Sequence, residues 1–216
     1  MKPTTITQLG DWYQEFPKFW ESPGVNDIIK YISKEYQLHK VYPEPSNIFR
    51  AFELCQYKDL KAVIIGMDPY NNGNATGLAF GVNTISINPS LVKIKQAIER
   101  EVYNNLLLEF DYSLEYLAKQ GVLLLNSALT VRHGLAGSHS KIWADFTKSL
   151  LIQISVHRED VLWFLWGNDA KQFKQYIYPS PETLIFEAEH PAYAARQGRP
   201  WSSNNQFINT NHIIKW

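Results

Sequence analysis

The chain has 216 residues, 45% of them hydrophobic, which is enough to bury a full core as a single domain over 1–216. Its 21 basic residues balance 21 acidic ones, so no global basic field advertises a nucleic-acid partner and any phosphate contacts must come from local clusters. One cysteine, Cys55, excludes an intramolecular disulfide and fits a reducing compartment. The N-terminal stretch MKPTTITQLGDWYQEF lacks an apolar signal core, and no run reaches the ~18 apolar residues of a membrane span. A cytoplasmic location and no membrane partner are the expectation.

Residues 1 to about 60 read as helical. Asn26 to Gln37 carries apolar residues at i, i+3, i+4 and i+7, with Asn26 as the expected N-cap. Pro43 and Pro45 interrupt the chain, and Ser46 is expected to cap a short helix running to about Cys55, whose helical spacing makes it core. This region reads as packing against a sheet, without chemistry of its own. Ala62 to Ile65 is a short β-branched run typical of a strand buried on both faces. Gly66 ends it, and Asp68-Pro69 turns the chain just past its carboxyl end. Tyr70 and Phe80 then flank an Asn- and Gly-rich segment. Two rings and one carboxylate suit a planar, polar ligand such as a nucleobase.

Pro89 and Ser90 open a helix, LVKIKQAIEREV, with proline at N1. Asp111 to Gln120 is a second amphipathic segment stopped by Gly121. Val122 to Leu125 is the next strand, and Asn126 follows its end. The stretch from Arg132-His133 to His139-Ser140-Lys141 reads as a solvated, partly cationic loop with phosphate contacts as its functional alternative. Trp143 to Val156 forms a helix with Ala144, Phe146, Leu150 and Ile154 towards the core. Val161 to Trp166 is a third strand ending in Gly167-Asn168; Thr183 to Phe186 is a fourth, followed by His190-Pro191; Ser202 to Ile214 closes the fold as a helix.

Four strands alternating with helices predict a three-layer α/β/α domain around a mostly parallel four-stranded sheet. Asp68, Asn126, Gly167 and His190 all fall just beyond strand ends, the edge where open α/β sheets bind ligands. Taken singly, Asp68 and Asn126 are ordinary turn caps and His190 an ordinary structural histidine. Their convergence on one edge favours a site. His133, His139 and Cys55 lack metal-ligand spacing, and no GxxxxGK[ST] phosphate loop occurs, so cofactor-free, metal-free chemistry is expected.

Four segments carry a resemblance: GMDPYN (Gly66 to Asn71) followed by GLAF, LLLNSALTVRHGLAGSHSKI (Leu123 to Ile142), VLWFLWG (Val161 to Gly167) and EHPAYAARQG (Glu189 to Gly198). In this order they resemble the family 1 uracil-DNA glycosylases, from about Tyr42 to the end. The resemblance implies hydrolysis of the N-glycosidic bond of uracil in DNA, by a monomer that a proteinaceous inhibitor of such enzymes can target. It assigns Asp68 to the sugar cation and the attacking water, and His190, as a neutral donor, to uracil O2. The backbone N–H at Met67 also faces O2. Phe80 stacks on the base, Tyr70 excludes thymine's 5-methyl, and Asn126 reads the O4/N3–H edge. Ser90, Gly167, Asn168 and the loop of Ala192, Tyr193, Ala194 and Arg196 fall to DNA contact.

This sequence also departs from the family pattern. Met67 replaces the usual Gln, Asn71 the usual His, and Asn168 a Ser. The family's HPSPLS loop reads HPAYAA, so Ala192 and Ala195 replace serines and Ala194 replaces the leucine that wedges into the duplex. The altered loop predicts a preference for single-stranded DNA, unless Tyr193, Arg196, Gln197 or Arg199 inserts instead. A glycosylase for another or modified base, and a DNA-binding protein with little catalysis on the same fold, are the competing readings; retention of Asp68, Asn126 and His190 together argues against the second.

Overall fold

The computed structural model describes residues 9–83 and 88–216. Residues 1–8, part of the stretch in which a signal core was sought, lie outside the described residues. Among the described residues no helix is long and apolar enough to cross a membrane.

The chain opens with α1 (Asp11–Glu15), α2 (Pro17–Trp20) and α3 (Pro23–Leu38), then β1 (Val41–Tyr42), α4 (Arg50–Leu54) and β2 (Ala62–Gly66). It continues through α5 (Pro89–Val102), α6 (Glu115–Ala118), β3 (Val122–Asn126), β4 (Val131–Arg132) and α7 (Ser140–His157). β5 (Leu162–Trp166), α8 (Asn168–Lys171), β6 (Leu184–Ala188), α9 (Pro191–Arg196) and α10 (Gln206–Thr210) complete it.

The main sheet has the order β3-β2-β5-β6, and every neighbouring pair is parallel. β2, β3 and β5 are buried at every residue, as two covered faces require, whereas the edge strand β6 is mostly half-exposed. Helices on both sides of this sheet give the three-layer α/β/α arrangement, with α5 packed on α9 and α10, and α3 on α7. The register pairs Gly66 with Asn126 and Trp166 with Ala188, so the carboxyl ends lie along one edge. From β2 the chain moves outward to β3, then crosses back over β2 to reach β5. Right-handed crossovers in opposite directions open a crevice at this switch point. A two-stranded antiparallel ribbon, β1 with β4, pairs Val41 with Arg132 and Tyr42 with Val131. That ribbon ties the segment after β3 to the end of α3.

Several boundaries differ from the sequence expectation for local reasons. α3 begins at Pro23, because the Ser22 hydroxyl accepts the Val25 N–H; Asn26 lies inside the first turn and its amide bonds the Glu21 carbonyl. The segment after Pro43 splits into a 3-10 turn, Pro45–Asn47, and the five residues of α4. Asp111 accepts the Ser113 N–H in a turn, which shortens the expected helix to α6. Asn204 and Asn205, at φ 58 and 59, delay the last helix to Gln206. Cys55 is buried as expected, and its carbonyl accepts the Trp12 indole N–H at 2.6 Å.

Candidate active site

A cleft of about 290 Å³ opens at the carboxyl edge of the sheet. Met67, Asp68, Tyr70, Phe80, Ser90, Asn126, His190 and Ala192, all singled out from the sequence, line it together. Asn71, Asn88 and Ala136 line it as well.

Asp68 follows β2 directly, and its Oδ2 accepts the Gly137 N–H at 2.6 Å. Burial pushes its carboxyl above the ordinary range, the Gly137 N–H opposes that rise, and the charge of Asp169 adds to it. Asn126 ends β3 and is 5% exposed. Among the described residues its amide makes no hydrogen bond, so both its donor and its acceptor are free for a ligand. It lies hard against Gly66, where a Cβ would sit 2.5 Å from the Asn126 Oδ1. Glycine at position 66 is what permits that approach.

Phe80 holds φ at +66, a left-handed conformation that an aromatic residue adopts only under external restraint. The Tyr70 hydroxyl donates to the Phe80 carbonyl at 3.3 Å, which fixes the two rings relative to each other. The Phe80 ring lies 5.8 Å from the His190 ring at an interplanar angle of 35° and 5.4 Å from Trp166. His190 is the N-cap of α9, and its Nδ1 accepts the Ala192 N–H at 3.1 Å. A ring nitrogen that accepts carries no proton, so a neutral imidazole must hold its hydrogen on Nε2. Burial keeps the ring neutral by depressing its pKa; Arg196 acts in the same direction, and Asp169 opposes both. Gly167, at φ +89, packs behind the imidazole, where a Cβ would approach the His190 Cβ to 2.8 Å. Its role in the fold is thus to admit His190.

The rim differs from the expectation. Asn168, Tyr193 and Arg196 are exposed, with Tyr193 at 47%. Ala194, expected at the wedge position, is fully buried and has no surface to offer to DNA. Its side of α9 faces inward, and α9 packs against α5. Tyr193 is the large side chain this helix presents outward.

The loop from Arg132 to His139 is solvated over most of its length, as expected, but it is anchored at its two ends: His139 is 1% exposed, and Arg132 is paired with Glu35 of α3. Gly137 within this loop was not legible as a site residue. A backbone donor leaves no side-chain signature, and only its place between the strand end and Ser138-His139 hints at it. Among the described residues, no group of three or more His, Cys, Asp or Glu converges as a metal site.

Comparison with known proteins bears on this geometry. Residues 52–214 match the family described as the Uracil DNA glycosylase superfamily. A uracil-DNA glycosylase of Christiangramia forsetii is 36% identical over 207 residues, covering 94% of this chain and 92% of that protein. One from Borrelia duttonii is 41% identical over 193 residues, covering 87% and 82%. Among solved structures, mimivirus uracil-DNA glycosylase superposes with a TM-score of 0.78 at 22% identity, over 88% of this chain and 72% of that one. A mimivirus UNG variant in complex with UGI matches at the same TM-score. The family match over most of the chain, with relatives above one-third identity along nearly its whole length, makes this chain a member of the uracil-DNA glycosylase superfamily.

Proposed function

We propose that this chain is a hydrolase that cleaves the N-glycosidic bond of uracil in DNA and leaves an abasic site, as base excision repair requires. One observation carries the reading: Asp68 and Phe80 after β2, Asn126 at the end of β3 and His190 after β6 come from three separate segments and line one cleft. As the C1′–N1 bond breaks, its electron pair leaves with the base and positive charge grows on the sugar. The Asp68 carboxylate stabilises that cation and orients the water whose oxygen attacks C1′. His190 donates its Nε2–H to uracil O2, where the negative charge collects, and the Met67 backbone N–H adds a second donor. A fixed dipole aimed at the charge that develops accelerates the step without reorganising.

Asn126 presents donor and acceptor side by side to the O4/N3–H edge, and cytosine's exocyclic amine would face its donor. Phe80 stacks on the flipped base, and Tyr70 occupies the space of a 5-methyl group. Ser90, Gly167, Asn168, Tyr193 and Arg196 supply the contacts to the DNA strand. The whole of 1–216 acts as one glycosylase domain, monomeric and cytoplasmic, and a proteinaceous inhibitor of the UGI type is a potential partner. Incubation with a uracil-containing single-stranded oligonucleotide, followed by alkali, should yield strand scission at the uracil. An oligonucleotide left intact at stoichiometric enzyme would rule the reading out.

A further inference from the structure

Three ionisable side chains outside the cleft form a closed network against it. Glu35, on α3, is 5% exposed and lies outside the residues that match the family. Arg132 grips it with a two-pronged fork: Nε donates to Oε2 at 2.6 Å and a terminal guanidinium nitrogen to Oε1 at 2.8 Å. The His139 Nε2 lies 3.1 Å from the same Oε2, and its Nδ1 lies 2.8 Å from the Thr130 hydroxyl. The Trp143 indole N–H donates to that hydroxyl at 2.8 Å.

The directions follow from chemistry. An ionised Glu35 only accepts, so the His139 Nε2 donates to it, Nδ1 accepts from Thr130, and the Thr130 oxygen accepts from Trp143. Every buried member is satisfied, which makes such a network rigid. Arg132 and His139 are the two ends of one loop, and Glu35 holds both. Inside that loop the Ser138 hydroxyl accepts the Arg132 N–H at 2.9 Å, and the Gly137 N–H, at φ +74, reaches Asp68 at 2.6 Å. The Gly134 N–H also donates to the Asn71 carbonyl, joining the loop to the Asp68 turn.

We propose that Glu35, through Arg132 and His139, is a positioning residue for Asp68: it fixes the 132–139 loop so that the Gly137 N–H holds the carboxylate in its reacting orientation. This rests on the glycosylase reading above. Glu35 touches neither substrate nor reacting atoms, so its effect must pass through Asp68. In Glu35→Gln an amide NH₂ replaces one oxygen and faces the donors of Arg132 or His139, which loosens the clamp at constant size.

The test is a double-mutant cycle on single-turnover uracil release from a single-stranded oligonucleotide, using the full chain. Glu35→Gln is expected to lower the rate at saturation about tenfold and leave half-saturation within about twofold. In the Asp68→Asn background the same change should cost less than about twofold, because the group it positions is already gone. A full tenfold loss in both backgrounds would mark a general structural effect and overturn the proposal, as would an unimpaired Glu35→Gln. Where Glu35→Gln does not fold, Arg132→Lys keeps the charge and gives up the fork, and the same outcomes decide. An inert wild type needs no variant to detect and overturns the glycosylase reading, and this inference with it.

Discussion

Two segments flank the cleft, and they are held in opposite ways. The loop of 132–139, which carries the donor to Asp68, is anchored on a buried carboxylate; the Arg132 guanidinium, with help from His139, holds the Glu35 carboxyl down to about 2. The segment of 189–199, which carries His190 and Tyr193, is tied by Arg199 to Glu189 through a fork of 2.6 and 2.5 Å at the surface. Exposed pairs contribute little to stability, whereas breaking a buried one is costly. Arg199 also lies over the Tyr193 ring, 5.7 Å from its centroid, and that ring is half in solvent. The acid is thus held by a part that tolerates little motion. The rim proposed to face DNA keeps Tyr193 at the surface, where it can enter a partner.

The strongest way to break this comparison is to remove one member from each side of the cleft. Asp68→Asn and His190→Asn should each lower single-turnover uracil release by about 10²–10⁴-fold, the range of general acid–base and oxyanion-type contributions. Asparagine at 190 keeps an acceptor for the Ala192 N–H, so the α9 cap survives and the loss is chemical. An Asp68→Asn chain that is folded and fully active would remove Asp68 from its role.

The next effect lies on the rim alone. Extruding a base from a duplex costs a few kcal/mol, less from a single strand, and each ~1.4 kcal/mol not recovered is a factor of ten. Tyr193→Ala should therefore slow release from a U·A duplex about 10- to 100-fold and leave the single-stranded rate nearly unchanged. If both substrates lose equally, Tyr193 is no wedge. Ala194→Leu, which restores the family's residue, should not help, because position 194 is sealed inside the packing of α9. Overpacking there should destabilise the chain by about 1–3 kcal/mol in denaturant unfolding, with no gain on duplex DNA.

That last contrast shows where the sequence was legible. The strands at Ala62, Val122 and Leu162 were readable because a parallel sheet demands continuous apolar runs, and the residues just past them fell at the ligand edge by topology. The tautomer of His190 was not readable, since it depends on one backbone N–H two residues on. Nor was the anchoring of the Arg132–His139 loop: its middle lies in solvent, as its polar letters suggest, while a carboxylate 97 residues before Arg132 holds both of its ends. The Ala194 wedge position failed for a related reason. Alignment to a motif gives order along the chain, while the face a short helix turns outward depends on what packs beneath it.

Smaller effects test the base-reading side. Asn126→Asp should gain slow cytosine release, because a carboxylate accepts from cytosine N4 where the amide presents its donor. Tyr70→Ala should gain slow thymine release by opening space for the methyl group. Both changes loosen the cleft, so uracil release should fall as well, and the ratio between bases is the quantity to measure. Unchanged ratios in both variants would mean that neither side chain reads the base.

The smallest expected effect separates the two catalytic groups by pH. On the proposed reading the reaction needs Asp68 ionised and His190 neutral, so activity should fall as pH drops through whichever group titrates higher. Asp169 raises both pKa values, since its negative charge disfavours ionisation of Asp68 and favours protonation of His190. Asp169→Asn should therefore move the acidic limb of the saturated rate to lower pH whichever group sets it. Arg196 acts on His190 in the opposite sense, lowering its pKa, and is no part of the shift at Asp68. Arg196→Gln should thus move the limb to higher pH only if His190 sets it, and leave it in place if Asp68 does. Both residues lie at the surface, so each shift should be a fraction of a pH unit and shrink as salt is added. Profiles taken on single-stranded substrate at two salt concentrations decide the matter. A limb that stays put in Asp169→Asn at low salt would mean that neither Asp68 nor His190 governs it.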